Sequence, residues 1–231
     1  MIQAVLFDFD GVLVDSMPFH VQAWQTVFSA YDIAVKPEDV LLLEGARAVE
    51  LASKIFKEHN VRLVSSDLQK FVDKKQEMFR EIANIALDPP AVELVKKVGT
   101  AGLQLGLVTG TARANVEQIL GSELISFFDG IITGDDVDAG KPAPACYLKA
   151  ANALAVAPES CLVIENAPLG IQAARAAGMV VAAVTTTLER RFLDGAHFYA
   201  ATLAELLDGF DDMVAGPGRG VLKSPVDVVV T

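Results

Sequence analysis

The sequence predicts an α/β protein, an open Rossmann-like parallel sheet core with an inserted all-helical cap domain, and three observations predict it. Short apolar runs recur along the chain, each followed by a turn and then a helical pattern. The runs are nearly uninterrupted by polar residues, as strands covered on both faces require. One long stretch, from about residue 18 to 84, breaks the alternation and carries helical periodicity alone.

The apolar runs lie at residues 4–7, 103–108, 130–132, 161–164 and 180–184. Helical patterns at 90–101, 112–120, 143–155 and 169–177 alternate with them, the arrangement of parallel strands joined by crossovers. Pro90 and Gly102 bracket the first of these helices in the usual start-and-stop sense. Within the interrupting stretch the helical patterns fall at 20–30, 48–59 and 67–85. A surface-helix reading covers each one singly but leaves the absence of strands over the whole span unexplained. Residues 1–16 with 88–210 are therefore expected to form the α/β core and 17–87 the helical cap. Residues 211–231 are expected to be a C-terminal tail. That tail holds a breaker cluster at 215–220 and an apolar run at 226–230, which suits an edge strand, docking on the core or an oligomer contact.

With 231 residues, 52% of them hydrophobic and 21% charged, the chain has ample material for a buried core. A formal net charge of −11 excludes a phosphate-backbone binder, because nucleic-acid affinity comes largely from Lys and Arg. Any phosphate must be met by a few local cations. Cys146 and Cys161 have neither metal-ligand spacing nor a disulfide framework, and Cys161 opens an apolar run as a buried thiol does. The first apolar run lacks a basic flank and ends at Asp8, too short for a secretory signal. No segment has membrane-spanning length. The expected location is the cytoplasm, with oligomeric state open.

In open α/β sheets, ligands collect beyond the carboxyl ends of the strands. That rule gathers Asp8, Asp10 and Gly11 after the first strand, and Thr109, Gly110 and Thr111 after the second. Lys141 follows the third, and Glu165 and Asn166 follow the fourth. An isolated D-x-D, or a Lys before a Pro, is ordinarily a loop or a cap; four sets at one sheet edge are not. The carboxylates and the amide supply hard oxygen ligands for Mg²⁺. Lys141 and Thr109 suit the equatorial oxygens of a phosphoryl group, whose transfer needs mainly positioning and charge neutralisation. A carboxylate is a competent nucleophile toward phosphorus once cations offset the repulsion. His20, His59 and His197 lie far apart in sequence, and no Ser-His-Asp set or thiolate cluster competes.

The run Phe7-Asp8-Phe9-Asp10-Gly11-Val12-Leu13-Val14-Asp15-Ser16 resembles the first motif of the haloacid-dehalogenase-like hydrolase superfamily. Leu107-Val108-Thr109-Gly110-Thr111, Gly140-Lys141-Pro142 and Val163-Ile164-Glu165-Asn166-Ala167-Pro168-Leu169-Gly170 resemble its second, third and fourth motifs, in order. The resemblance spans residues 1 to about 208, and His20 and Trp24 point to the β-phosphoglucomutase-like phosphatases. It implies that Asp8 forms an aspartyl-phosphate, that Asp10 handles the protons, and that Thr109, Lys141 and the Gly110 amide bind phosphoryl oxygens. It further implies Mg²⁺ held by Asp8, the Asp10 carbonyl, Glu165 and Asn166. The family commonly has a second acid where this chain has Asn166, whose amide oxygen ligates without charge.

An acid at position 10 favours phosphate esters over the dehalogenase and phosphonate-cleaving branches of that superfamily, which have none there. The expected activity is therefore a phosphoric monoester hydrolase acting on a small phosphorylated metabolite. A sugar-phosphate mutase is the alternative, and it would need a second phosphate gripped from the cap. Arg47, in the segment Glu44-Gly45-Ala46-Arg47 that resembles the family's specificity loop, and Lys75 are the candidates for that grip. A receiver-type signalling domain would carry its acceptor after the third strand and have no cap. A silent scaffold would not require both Asp8 and Asp10.

Overall fold

Residues Ala4–Phe7 form β1, and all four are sealed from solvent because both faces of the strand are covered. Val5 and Phe7 pack on one side with Leu94, Val116 and Leu206, whereas Ala4 and Leu6 pack on the other with Tyr147 and Ile171. Alternation of side chains along a pleated strand produces those two layers. β1 is an interior strand, flanked by the second and fourth strands in chain order. The computed structural model describes residues 1–216 and the backbone of 227–228.

After β1 come four helices, α1 (Met17–Ser29), α2 (Pro37–Leu41), α3 (Ala48–Glu58) and α4 (Ser65–Ile82), with no strand between them. The chain then alternates through α5 (Pro89–Thr100), β2 (Gln104–Val108), α6 (Arg113–Ile125), β3 (Gly130–Ile132), α7 (Ala145–Ala153), β4 (Cys161–Glu165), α8 (Pro168–Ala176) and β5 (Val180–Val184). It closes with β6 (Phe198–Ala200), α9 (Leu203–Asp208), α10 (Phe210–Ala215) and β7 (Asp227–Val228). The order across the sheet is β3-β2-β1-β4-β5-β6-β7. Strands β1 to β6 pair in parallel and β7 pairs antiparallel with β6. The order reverses direction at β1, so the crevice beyond its carboxyl end is the topological switch point.

The fold is thus the expected Rossmann-like core with a helical cap. The cap has its own apolar centre, in which Trp24, Phe28, Phe56 and Phe71 meet, with Phe28 and Phe56 each within 5 Å of the Phe71 ring centroid (4.8 and 4.7 Å). Its entry and exit run side by side: Val14 bridges antiparallel to Leu87, and Asp88 N–H donates to Leu13 O at 3.2 Å.

Four elements lie outside the sequence expectation. α2, β6, α9 and α10 are each six residues or shorter, too brief to express a period. The expected start of the tail at 211 falls inside α10, whose Phe210 and Met213 are buried in the core, so residues 211–215 belong to the packed body. Of the 226–230 run, Asp227–Val228 forms the edge strand; the rest, and most of the 215–220 cluster, lie outside the described residues. Among the described residues no helix is long and apolar enough to cross a membrane.

Candidate active site

The backbone of β1 continues one residue past the strand, where Asp8 N–H donates to Ile164 O at 3.0 Å. That bond fixes the Asp8 carboxylate at the sheet edge beside β4. The chain then turns tightly at Gly11, whose φ is +75° and whose missing Cβ leaves room for the Asn166 amide. Thr109 is held in the same manner at the end of β2, by its N–H to Ile132 O at 3.0 Å. Glu165 is the last residue of β4, and Asn166 is the next.

These ends converge on Lys141. Its Nζ donates to Asp8 Oδ1 and to Glu165 Oε1, both at 2.6 Å, and all three side chains are buried. Glu165 is fully engaged: Oε1 also accepts from Tyr147 OH at 2.8 Å, while Oε2 accepts from the backbone amides of Asn166 and Ala167 at 2.9 and 3.0 Å. Burial pushes the Asp8 carboxyl up to about 8, although Lys141 pulls it the other way. Burial opposes the Lys141 ammonium, but Asp8 and Glu165 outweigh it and hold its pKa well above the ordinary lysine value.

Asp10 stands in a second network. Oδ1 accepts from Ser16 Oγ at 2.5 Å and pairs with His20 Nε2 at 3.2 Å; Oδ2 accepts from Thr111 Oγ1 at 2.6 Å. Lys75 Nζ donates to His20 Nδ1 at 2.7 Å. An ammonium has no acceptor, so Nδ1 must accept and Nε2 must carry the hydrogen toward Asp10. Burial would raise the Asp10 carboxyl, but the bonds from His20, Ser16 and Thr111 outweigh it and hold it far below the carboxylate range. Burial and the Lys75 charge lower the His20 pKa, and burial lowers that of Lys75 to about 8.

The cap closes over this edge and leaves a cavity of about 100 Å³. Asp8, Asp10, Thr109, Gly110 and Thr111 line it from the core, and Lys75 and Glu44 from the cap. Lys141, Glu165 and Asn166 sit behind Asp8. Thr111 is tied to Asp10, and its N–H donates to Thr109 Oγ1 at 3.0 Å. Arg47 is the exception. Its guanidinium donates to Asp138 O at 2.8 Å, on the exposed side of the loop, and the residue does not line the cavity. The chain turns it outward because Arg47 is the extended residue that opens α3, its N–H bound to the Glu50 carboxylate at 3.2 Å.

Glu44 was not among the residues that sequence reasoning selected. It is buried, its Oε1 accepts from Asn166 Nδ2 at 3.1 Å, and burial together with the Asp8 charge raises its pKa well above the ordinary value. Ser16 and Tyr147 were missed as well. Ser16 ends the first motif run, which was its only signal; Tyr147 reads as one more apolar residue of a helix.

Four carboxyl groups, those of Asp8, Asp10, Glu44 and Glu165, therefore surround the site, with Lys141 as the one cation bonded directly to any of them among the described Lys and Arg residues. Asn166 Oδ1 and Glu44 Oε2 are buried without a hydrogen-bond partner. Unpartnered hard oxygens buried among these carboxyl groups fit a divalent cation. Of the ligands expected from the sequence, Asp8 and Asn166 are the side chains free to take it. Glu165 is committed to Lys141, Tyr147 and the backbone, and among the described residues no three acidic, His or Cys side chains form a ready ligand cluster.

A family pattern described as haloacid dehalogenase-like hydrolase matches residues 5–184. The fructose-1-phosphate phosphatase YqaB of Escherichia coli (strain K12) is 33% identical over 178 residues, 76% of this chain and 92% of that protein. The pyrophosphatase PpaX of Bacillus cereus (strain AH820) is 32% identical over 217 residues, 92% of this chain and 98% of that protein. Among solved structures, the β-phosphoglucomutase of Clostridium difficile superposes with a TM-score of 0.81 at 25% identity, covering 93% of this chain and 98% of that one.

Proposed function

The chain belongs to the haloacid dehalogenase-like hydrolases, and from that premise we propose that it is a Mg²⁺-dependent phosphatase of a small phosphorylated metabolite, with Asp8 as nucleophile. Phosphatases of this family generally use a divalent metal; Asp8, Asn166 and the Asp10 backbone carbonyl would hold it here. The observation that carries the reading is the pair of separate networks around Asp8 and Asp10 at one cavity. One neutralises a nucleophile and the other holds a proton carrier.

In the first step an Asp8 carboxylate oxygen bonds to phosphorus, and the ester oxygen leaves with a proton from Asp10. A divalent cation held by Asp8, Asn166 and the Asp10 carbonyl would offset charge on the transferring phosphoryl group. In the second step water attacks the aspartyl-phosphate, gives its proton to Asp10, and frees Asp8 and inorganic phosphate. The structure's ionised Asp10 matches the base of that second step. A phosphoryl dianion arriving beside it raises its pKa and so supplies the acid for the first. Lys141 meets the phosphoryl oxygens from behind Asp8, with Thr109 and the Gly110 amide on the cavity side.

Arg47 supports the phosphatase reading over the mutase one, because it is turned to Asp138 and leaves Lys75 as the cavity's cap-side cation. Residues 17–87 are proposed as the cap that selects the substrate. Two buried, unpaired cysteines agree with a reducing cytoplasm. The test is phosphate release with Mg²⁺ over sugar phosphates, nucleotides, phosphoglycolate and pyrophosphate. Asp8→Asn should lower the rate by about 10,000-fold or more, the scale of nucleophile removal elsewhere. Intact release by that variant would sink the assignment. With a hexose 1-phosphate, formation of the 6-phosphate isomer instead of inorganic phosphate would replace phosphatase by mutase.

A further inference from the structure

Two buried oxygens in the site, Glu44 Oε2 and Asn166 Oδ1, have no hydrogen-bond partner, and they belong to side chains joined to each other through Asn166 Nδ2 and Glu44 Oε1 at 3.1 Å. One is on the cap and the other on the core. Burying a carboxylate oxygen away from water is strongly unfavourable unless a positive charge or a hydrogen-bond donor meets it. Nothing in the described protein meets it: Lys141 is spent on Asp8 and Glu165, and Lys75 is spent on His20. Glu44 lines the same cavity as Asp8.

We propose that Glu44 is a cap-borne ligand of the same divalent cation that the core holds through Asp8 and Asn166. The charge that an amide at position 166 does not bring is then supplied across the cap–core boundary. Cation binding and apposition of the cap become one event. The backbone is built for that reach: Gly45 has φ +85°, and a Cβ there would stand 2.7 Å from Lys141 Cδ. The loop next to Glu44 thus lies directly against the Lys141 side chain. The inference rests on the cation-assisted reading above but concerns binding, not turnover.

The test uses Mg²⁺ alone, without substrate. By isothermal titration, Glu44→Gln should weaken Mg²⁺ binding about tenfold or more, since a neutral amide replaces a charged ligand. The double variant Glu44→Gln with Asn166→Asp should recover most of that loss, because a carboxylate at either position restores the charge. In the wild type, Mg²⁺ should slow amide hydrogen exchange at residues 43–46, a readout that needs no variant. An unchanged Mg²⁺ constant in a folded Glu44→Gln overturns the proposal, as does exchange at 43–46 that ignores Mg²⁺. Altered KM for phosphoesters with unchanged Mg²⁺ binding would make Glu44 a substrate contact instead, which also overturns it. Failure of the phosphatase reading would appear separately, as absent phosphate release with these Mg²⁺ results intact.

Discussion

The two walls of the cavity are built differently. On the core side, Asp8 and Glu165 stand at the ends of the adjacent strands β1 and β4 and Lys141 in the loop from β3 to α7, all buried, with Lys141 bonded to both carboxyl groups at 2.6 Å. On the cap side α1, α3 and α4 frame a five-residue helix, α2, and the loop to α3, where one acid has an unpartnered oxygen and one arginine faces away. The core wall is rigid because the parallel ladder fixes its backbone, and phosphoryl transfer depends on fixed positions. The cap wall hangs on a loop, the kind of segment that can change its side chains without disturbing the sheet.

Lys141→Met would break the core wall most. Methionine keeps the length but leaves Asp8 and Glu165 buried without their shared cation. Breaking a buried pair by removing one partner costs about 3–5 kcal/mol, which in a chain of this size is a drop in Tm of roughly 10 °C. Phosphate release should vanish with it, because Asp8, already pushed up to about 8 by burial, would hold its proton more tightly still. Thermal unfolding checks the first effect and a phosphate assay the second. A variant with wild-type Tm would mean that Lys141 is not the hub of that wall.

The same contrast governs what the sequence could reveal. Asp8, Thr109 and Glu165 stand out because each interrupts or ends an apolar run, and the sheet leaves such a residue nowhere to go but the switch-point edge. The five main strands were legible for that reason. Glu44 was not legible. A glutamate before a glycine in a short, weakly periodic segment reads as a solvated turn; only the packing of the cap on the core buries it. Arg47 failed in the opposite direction. Its place in a segment that resembles the family's specificity loop suggested the cavity, but the residue opens α3, and the extended backbone there turns its side chain out. α2 was invisible because five residues do not define a helical period, and β6, Phe198-Tyr199-Ala200, lacks the aliphatic run that marks the other strands.

Gly45→Ala probes the contact between the walls and should cost less than the loss of Lys141. The substitution meets two obstacles, a φ of +85° and a Cβ only 2.7 Å from Lys141 Cδ. Together they are worth about 1–3 kcal/mol, with a raised KM because the loop must back away from the site. Gly102→Ala separates the two obstacles. Gly102 has φ +72° with nothing within 4 Å of its missing Cβ, and so carries the backbone strain without the contact. It should lose about 1 kcal/mol of stability and leave KM where it was. Equal kinetic effects in both variants would show that the cap loop does not need its close approach to Lys141.

Arg47→Ala should have the smallest effect. The guanidinium is exposed and its bond is to a backbone carbonyl of the core, Asp138 O, at 2.8 Å. Surface substitutions of that type stay within about 0.5 kcal/mol, and KM for a monophosphate should change by less than about twofold. The alternative activity makes a different demand. A mutase must grip a second phosphate from the cap, and a charged hydrogen bond to it is worth about 1.5–3 kcal/mol, a loss of roughly tenfold or more in KM. Steady-state kinetics of Arg47→Ala on a hexose monophosphate and on a hexose bisphosphate therefore sharpen the contrast between the walls. A selective loss on the bisphosphate would mean that the cap loop swings Arg47 inward when substrate binds, and that the softer wall takes part in the chemistry of the harder one.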